Sequence, residues 1–190
     1  MIREKIILDR ISGKHVLDIG SIGQTSKYSL WELYKTVPVK SLTGIDLPEA
    51  KQIAVDRFQI DENNLPDDVR IVYGNMETYR FERRFDVIVA GDVIEHVHNQ
   101  GLFLNNIRTH LADDGIFILT TPNTKWPTAY IRGNPTHVLW HDRSTLTEIL
   151  RVCGFKVDYF RSYCGNKKYY HPLFIPLIAG QQLLMVCSKS

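Results

Sequence analysis

The chain is 190 residues long and 44% hydrophobic, enough for one sizeable core and too little for two ordinary domains, so residues 1–190 are read as a single domain. Its 23 basic and 21 acidic residues give a formal charge of +2, without the positive bias of nucleic-acid binders, and no nucleic-acid partner is expected. Scattered Cys153, Cys164 and Cys187 argue against a disulfide framework or zinc knuckle, while a charged N-terminus and the lack of an apolar run of roughly 18 residues predict a cytoplasmic protein with no transmembrane segment.

HVLDI (15–19) is a short apolar run closed by a glycine-containing turn, and SLTGIDL (41–47) is a second run ending in an acid. Both read as buried parallel strands. Between them, TSKYSLWELYKTV offers Thr25 or Ser26 as an N-cap and sets Leu30, Leu33, Tyr34 and Val37 on one helical face. VRIVYG (69–74) and FDVIVAG (85–91) continue as strands, each followed by a helix, and the second suits burial on both faces. Asn99 is placed to cap GLFLNNIRTHL, the D-D-G at 113–115 turns the chain, and IFILTT (116–121) returns as a fifth strand before Pro122. Ser144 is expected to cap TLTEILRVC and Gly154 to stop it, before strands FKVDYFRSY (155–163) and QQLLMVCSK (181–189). This alternation predicts the α/β class: a doubly wound, Rossmann-like seven-stranded sheet, mostly parallel with an antiparallel last strand. Residues 122–141 and 164–180, rich in proline and aromatic or apolar side chains, fall outside the alternation and are expected to form a lid or ligand-binding surface.

In such a sheet a ligand sits beyond the carboxyl ends of the strands. Small and polar residues collect there: Asp18, Gly20, Ser21 and Gly23 after the first strand, Asp46 and Leu47 after the second, Gly74, Asn75 and Met76 after the third, Gly91 and Asp92 after the fourth. Gly20 and Gly23 permit a tight turn and close backbone approach before a helix N-terminus, which suits an anionic group. Asp46 follows at close to the roughly 20-residue interval at which an acid meets a ribose, and its two oxygens accept two hydroxyl donors. Leu47 and Met76 could sandwich an adenine whose edge Asn75 reads. A nicotinamide-dependent oxidoreductase is disfavoured, since G-x-G-x-x-G needs glycine at 22 and 25, where the chain has Ile22 and Thr25.

HVLDIGSIGQ, GIDL, GNME, FDVIVAGDVIEHV and LADDGIFILTTPN together resemble successive motifs of class I S-adenosylmethionine-dependent methyltransferases, in particular the quinone-biosynthesis branch, over residues 15–123. The resemblance implies S-adenosylmethionine as cofactor: Asp18, Gly20 and Gly23 line the methionine moiety, Asp46 holds the ribose, Asn75 and Met76 contact adenine, Gly91 and Asp92 face the methionine amine, and His96 sits near the methyl donor, with Ser21 and Leu47 as further cofactor-binding candidates. It implies a small-molecule methyl acceptor (a sugar, or a quinone-like or lipid-linked compound), with a non-catalytic binding module as the alternative. The chain departs from the family's G-x-G-x-G at Ile22 and Gln24.

His137 and His141 are the candidate general bases for an acceptor hydroxyl, because imidazole titrates near neutral pH; packing is the competing role. Glu95, His96 and His98 form a polar cluster, yet the two histidines at i, i+2 point apart and no third ligand is in register, so no metal is expected. Tyr28 and Trp31 are one helical turn apart after the glycine loop, where an aromatic face would suit a sulfonium cation.

Overall fold

The structure, a computed structural model, describes residues 2–22, 34–58, 60–126, 134–164 and 180–190. In chain order its elements are α1 (Ile2–Ile11), β1 (His15–Ile19), β2 (Ser41–Asp46), α2 (Ala50–Phe58), β3 (Val69–Tyr73), β4 (Phe85–Gly91), α3 (Gln100–His110), β5 (Leu111–Pro122), α4 (Arg143–Val152), β6 (Phe155–Tyr163) and β7 (Gln182–Lys189). The strands join in one sheet of order β3-β2-β1-β4-β5-β7-β6. Neighbours are parallel from β3 to β5, and β7 alone runs antiparallel to both of its partners. This is the seven-stranded sheet expected from the alternation.

The apolar runs work as two-faced strands. Along β4, Val87 and Val89 join one core layer while Ile88 and Ala90 join the other, as the period of two requires. Leu104 and Ile107 of α3 and Leu146 and Leu150 of α4 cover the second face. Ile6, Ile7 and Ile11 of α1 cover the first with Leu42 and Ile118. Helix α1 is an addition to the expected elements, its apolar stripe hidden in the sequence by interleaved charges.

Two local readings change, besides the helix expected after VRIVYG: residues 74–84 carry only turns and bends between β3 and β4. The cap of α4 is Asp142, not Ser144: the Thr145 amide donates to the Asp142 carboxylate at 2.9 Å and the Thr145 hydroxyl lies 3.0 Å from the Asp142 amide, a reciprocal box two residues earlier in the chain. The D-D-G at 113–115 lies inside β5, where the pairing with β4 skips from Leu111 to Ile116. Residues 25–33 of the first expected helix, with Tyr28 and Trp31, lie outside the described residues, although Tyr34 is buried. Asn99 caps α3 through the Leu102 amide at 3.0 Å, and Gly154, with φ +80°, ends α4 as expected.

Candidate active site

Parallel register brings the carboxyl ends of β1, β2, β3 and β4 to one edge of the sheet. Asp18 and Gly44 are paired across β1 and β2, and Asp46 and Tyr73 across β2 and β3. Gly20 has φ +74°, and a Cβ there would meet the Val93 side chain at 2.7 Å, so the turn requires glycine. The turn is fastened to β2 by the Gly20 amide on the Ile45 carbonyl at 2.8 Å, and Ser21 beside it is buried. Ile22 does not project from the loop: its side chain is buried with Ile6, Val16 and Leu42, and its amide donates to Asp46 Oδ2 at 2.9 Å. The branched residue that breaks the glycine pattern is thus a core residue. Gly23 and Gln24 lie outside the described residues.

Asp46 Oδ1 accepts from the Leu47 amide at 2.8 Å, so both carboxylate oxygens are held by backbone amides at the strand end. Asn75 is exposed and makes an Asx turn, accepting from the Glu77 amide at 2.8 Å. Leu47 is 51% exposed, whereas Met76 is 4% exposed and packed in the core with Leu17 and Ile45. The Leu47–Met76 sandwich expected from the sequence is therefore one-sided here, with Leu47 as the free apolar face.

Two carboxyl groups stand behind this edge. Asp18 is buried, which pushes its carboxyl up to about 8; the Tyr34 hydroxyl and Arg3 oppose the rise and Asp46 adds to it. Asp92, just past Gly91, is a non-glycine residue at φ +57°, a conformation that costs energy unless the surroundings fix it. They do: its amide donates to the Thr120 carbonyl at 3.0 Å, Thr120 Oγ1 donates to Oδ1 at 3.1 Å, and Arg3 of α1 donates to Oδ2 at 2.9 Å. Arg3 carries no sequence signal of its role; only the docking of α1 brings it to Asp92.

Beyond Asp92, the 3-10 turn Ile94–His96 presents Glu95 and His96. Glu95 is buried, and burial, then repulsion from Asp92, pushes its carboxyl up to about 8. The amides of Val138 and Leu139 donate to the Glu95 carbonyl at 2.9 and 3.3 Å, which docks the loop after β5 here. His137 then lies edge-on to His96, ring centroids 4.8 Å apart, and against Trp140 at 4.9 Å. Burial, then the neighbouring His96, lowers its basicity.

His141 is placed elsewhere. It is buried, its Nε2 lies 2.9 Å from the side-chain Nε2 of Gln100, and its backbone pairs with Asn123. The structure separates the two candidate bases: His137 joins the edge that holds Asp92, while His141 ties α3 to the end of β5.

Residues 3–159 match the methyltransferase-domain family. A ubiquinone biosynthesis O-methyltransferase of Rhodopseudomonas palustris (strain HaA2) is 33% identical over 119 residues, 63% of this chain and 44% of that protein; the matched region spans less than half of that curated relative. Among solved structures, a SAM-dependent methyltransferase from Archaeoglobus fulgidus superposes with a TM-score of 0.74 at 18% identity, covering 99% of this chain and 92% of that one. The Burkholderia thailandensis 1,6-didemethyltoxoflavin-N1-methyltransferase, solved with S-adenosylhomocysteine, gives 0.65 at 20% identity, covering 100% and 75%. These likenesses show a shared fold. With the strand-end site and the family match over most of its length, the chain belongs to the class I S-adenosylmethionine-dependent methyltransferase family.

Proposed function

We propose that this protein transfers the methyl group of S-adenosylmethionine to an oxygen of a small-molecule acceptor, quinone-like or lipid-linked in preference to a sugar. The observation that carries the reading is the convergence of Asp18, Gly20, Asp46, Asn75 and Asp92 on one sheet edge. Their chemistry fits the cofactor: Asp46 offers acceptor oxygens to ribose hydroxyls, Asn75 offers an amide at an exposed turn, and the carboxylate of Asp92 suits an amine cation. When bound, the cofactor supplies an electrophilic methyl on a sulfonium. The protein's part is to hold the two reactants in line and to exclude water. Val138 and Leu139, both more than 40% exposed, give the loop beside His137 an apolar face suited to a ring or prenyl-like acceptor, and the O-methyltransferase relatives support that class. The segments 122–141 and 164–180 are proposed as the acceptor-binding cover, although 127–133 and 165–179 lie outside the described residues.

The test is isothermal titration with S-adenosylmethionine and S-adenosylhomocysteine, NAD serving as control, on the wild type and Asp46→Ala. Two lost hydrogen bonds to a charged group, at about 1.5 kcal/mol each, predict a fall in affinity of roughly 100-fold. A folded wild type that binds neither cofactor form would overturn the reading and leave a binding module of other specificity.

A further inference from the structure

We propose that Gln100 and His141 are positioning residues that clamp the loop after β5 onto the 3-10 turn after β4 and so fix the apolar face of Val138 and Leu139. That this face receives the methyl acceptor rests on the methyl-transfer reading; the clamp does not. The two segments come from distant parts of the chain. One is the turn Ile94–His96; the other returns to the sheet where His141 bridges to Asn123 and its carbonyl accepts from the Thr124 amide at 2.9 Å. Gln100, the first residue of α3, stands between them: its side-chain Nε2 donates to the Ile94 carbonyl at 2.8 Å and lies 2.9 Å from His141 Nε2. The next carbonyl of the turn, that of Glu95, accepts from the Val138 and Leu139 amides. Successive carbonyls are thereby tied to the same loop, one through Gln100 and one directly.

Hydrogen-bond chemistry fixes the protonation state that the clamp requires. The Ile94 carbonyl can only accept, so the Gln100 group facing it is the amide NH2, whose other proton faces His141. His141 Nε2 therefore accepts, and the proton of the neutral ring is on Nδ1. That Nδ1 is buried and has no hydrogen-bond partner among the described residues, in a residue that is 6% exposed. Leaving a buried donor unmet is costly, so the ring is held in this orientation by what its other nitrogen gains from Gln100.

A proton on His141 Nε2 undoes the clamp. The ring is then a donor at both nitrogens and the Gln100 NH2 faces another donor; turning the amide to present its oxygen gives up the Ile94 carbonyl. Burial holds His141 below its ordinary basicity, against the opposing pull of Asp142. Asp142 is itself paired with Lys125 of the segment after β5 at 3.0 Å, and Arg143 lies over the Phe160 ring. In the turn, the Glu95 carboxylate accepts from Thr121 at 3.0 Å, and His96 packs on His137 of the loop. From α3 the facing group is the neutral Gln100. Because the fold favours the neutral ring, the clamp is complete above about pH 6.5 and loosens as pH falls below it.

Amide hydrogen exchange read residue by residue by NMR, with nitrogen-15 spectra of the histidine rings, tests the clamp in the full chain. We expect His141 to be the neutral Nδ1–H tautomer at pH 7. Protection of the Val138 and Leu139 amides, corrected for the intrinsic pH dependence of exchange, should fall roughly ten-fold or more in Gln100→Leu and in His141→Leu. His141→Gln, whose side-chain oxygen accepts from Gln100 but does not titrate, should keep that protection. Between pH 7 and pH 5 protection at these amides should drop in the wild type and stay level in His141→Gln, with the β1 and β4 amides as internal reference. Wild-type protection in both leucine variants, an Nε2–H ring at pH 7, or the same slope with pH in wild type and His141→Gln overturns the proposal. An equal loss of protection in β1 and β4 overturns it as well, by making the pair an ordinary core contact. S-adenosylhomocysteine titration runs in parallel: a wild type that shows the clamp and binds no S-adenosylhomocysteine counts against the methyl-transfer reading alone, whereas binding without the clamp sinks the clamp alone.

Discussion

Asp18 shows how one residue of the cofactor edge marks the stability of the whole chain. Its carboxyl rises to about 8 in the fold because it is buried, against about 3.9 in the unfolded chain. A carboxyl with a raised folded pKa contributes stability that is fully present below the unfolded value and lost as pH climbs through the folded one. Urea unfolding without cofactor should therefore show Asp18→Asn gaining on the wild type between pH 5 and pH 8.5. Glu95, shifted in the same direction, is present in both proteins and cancels in the difference. A constant gap across that range would mean that Asp18 is ionised and compensated in the fold. The site residues legible in the sequence were those at strand ends, since position in a parallel sheet fixes where they face. What was illegible depends on tertiary approach: Arg3 on Asp92, His137 on His96, and the inward turn of Ile22 and Met76.

At the scale of the element, hydrophobic period identified the strands and two of the four described helices, α3 and α4, while α1, α2, ends and irregularities escaped it. The cap of α4 is the instructive case, because Asp142 and Ser144 are both good capping residues and only geometry chooses between them. The Thr145 amide, the Ser144 hydroxyl and Lys125 hold the Asp142 carboxyl well below its ordinary value. The sign is the opposite of that for Asp18: the stabilisation is present above the unfolded pKa and is lost as pH falls toward the folded one. Asp142→Ala should cost about 1 kcal/mol at pH 7 and progressively less as the pH falls below about 4, with Asp142→Asn retaining most of the cap. Denaturant melts at pH 7 and pH 3 measure this. If Ser144→Ala proves the more damaging substitution, the cap has been assigned to the wrong residue.

Across the whole molecule, the strand-end edge depends on an element far away in sequence. Helix α1 packs Ile6, Ile7 and Ile11 beneath the sheet and in doing so carries Arg3 to the strained Asp92 at the end of β4. The pair is partly shielded, Arg3 being the more buried partner, so it is worth more than a surface ion pair. Arg3→Ala should lower stability by about 1.5 kcal/mol, or roughly 3–6 °C in Tm for a domain of this size. S-adenosylhomocysteine at about 100 times its Kd should restore about 2.7 kcal/mol by mass action if it binds only the folded state. The two effects separate by experiment. An Arg3→Ala protein with an unchanged Tm would show that α1 is held by its isoleucines alone. A lowered Tm with an undiminished increment from ligand would assign Arg3 to holding Asp92 in its left-handed conformation, and a diminished increment would place the guanidinium in the ligand's own environment.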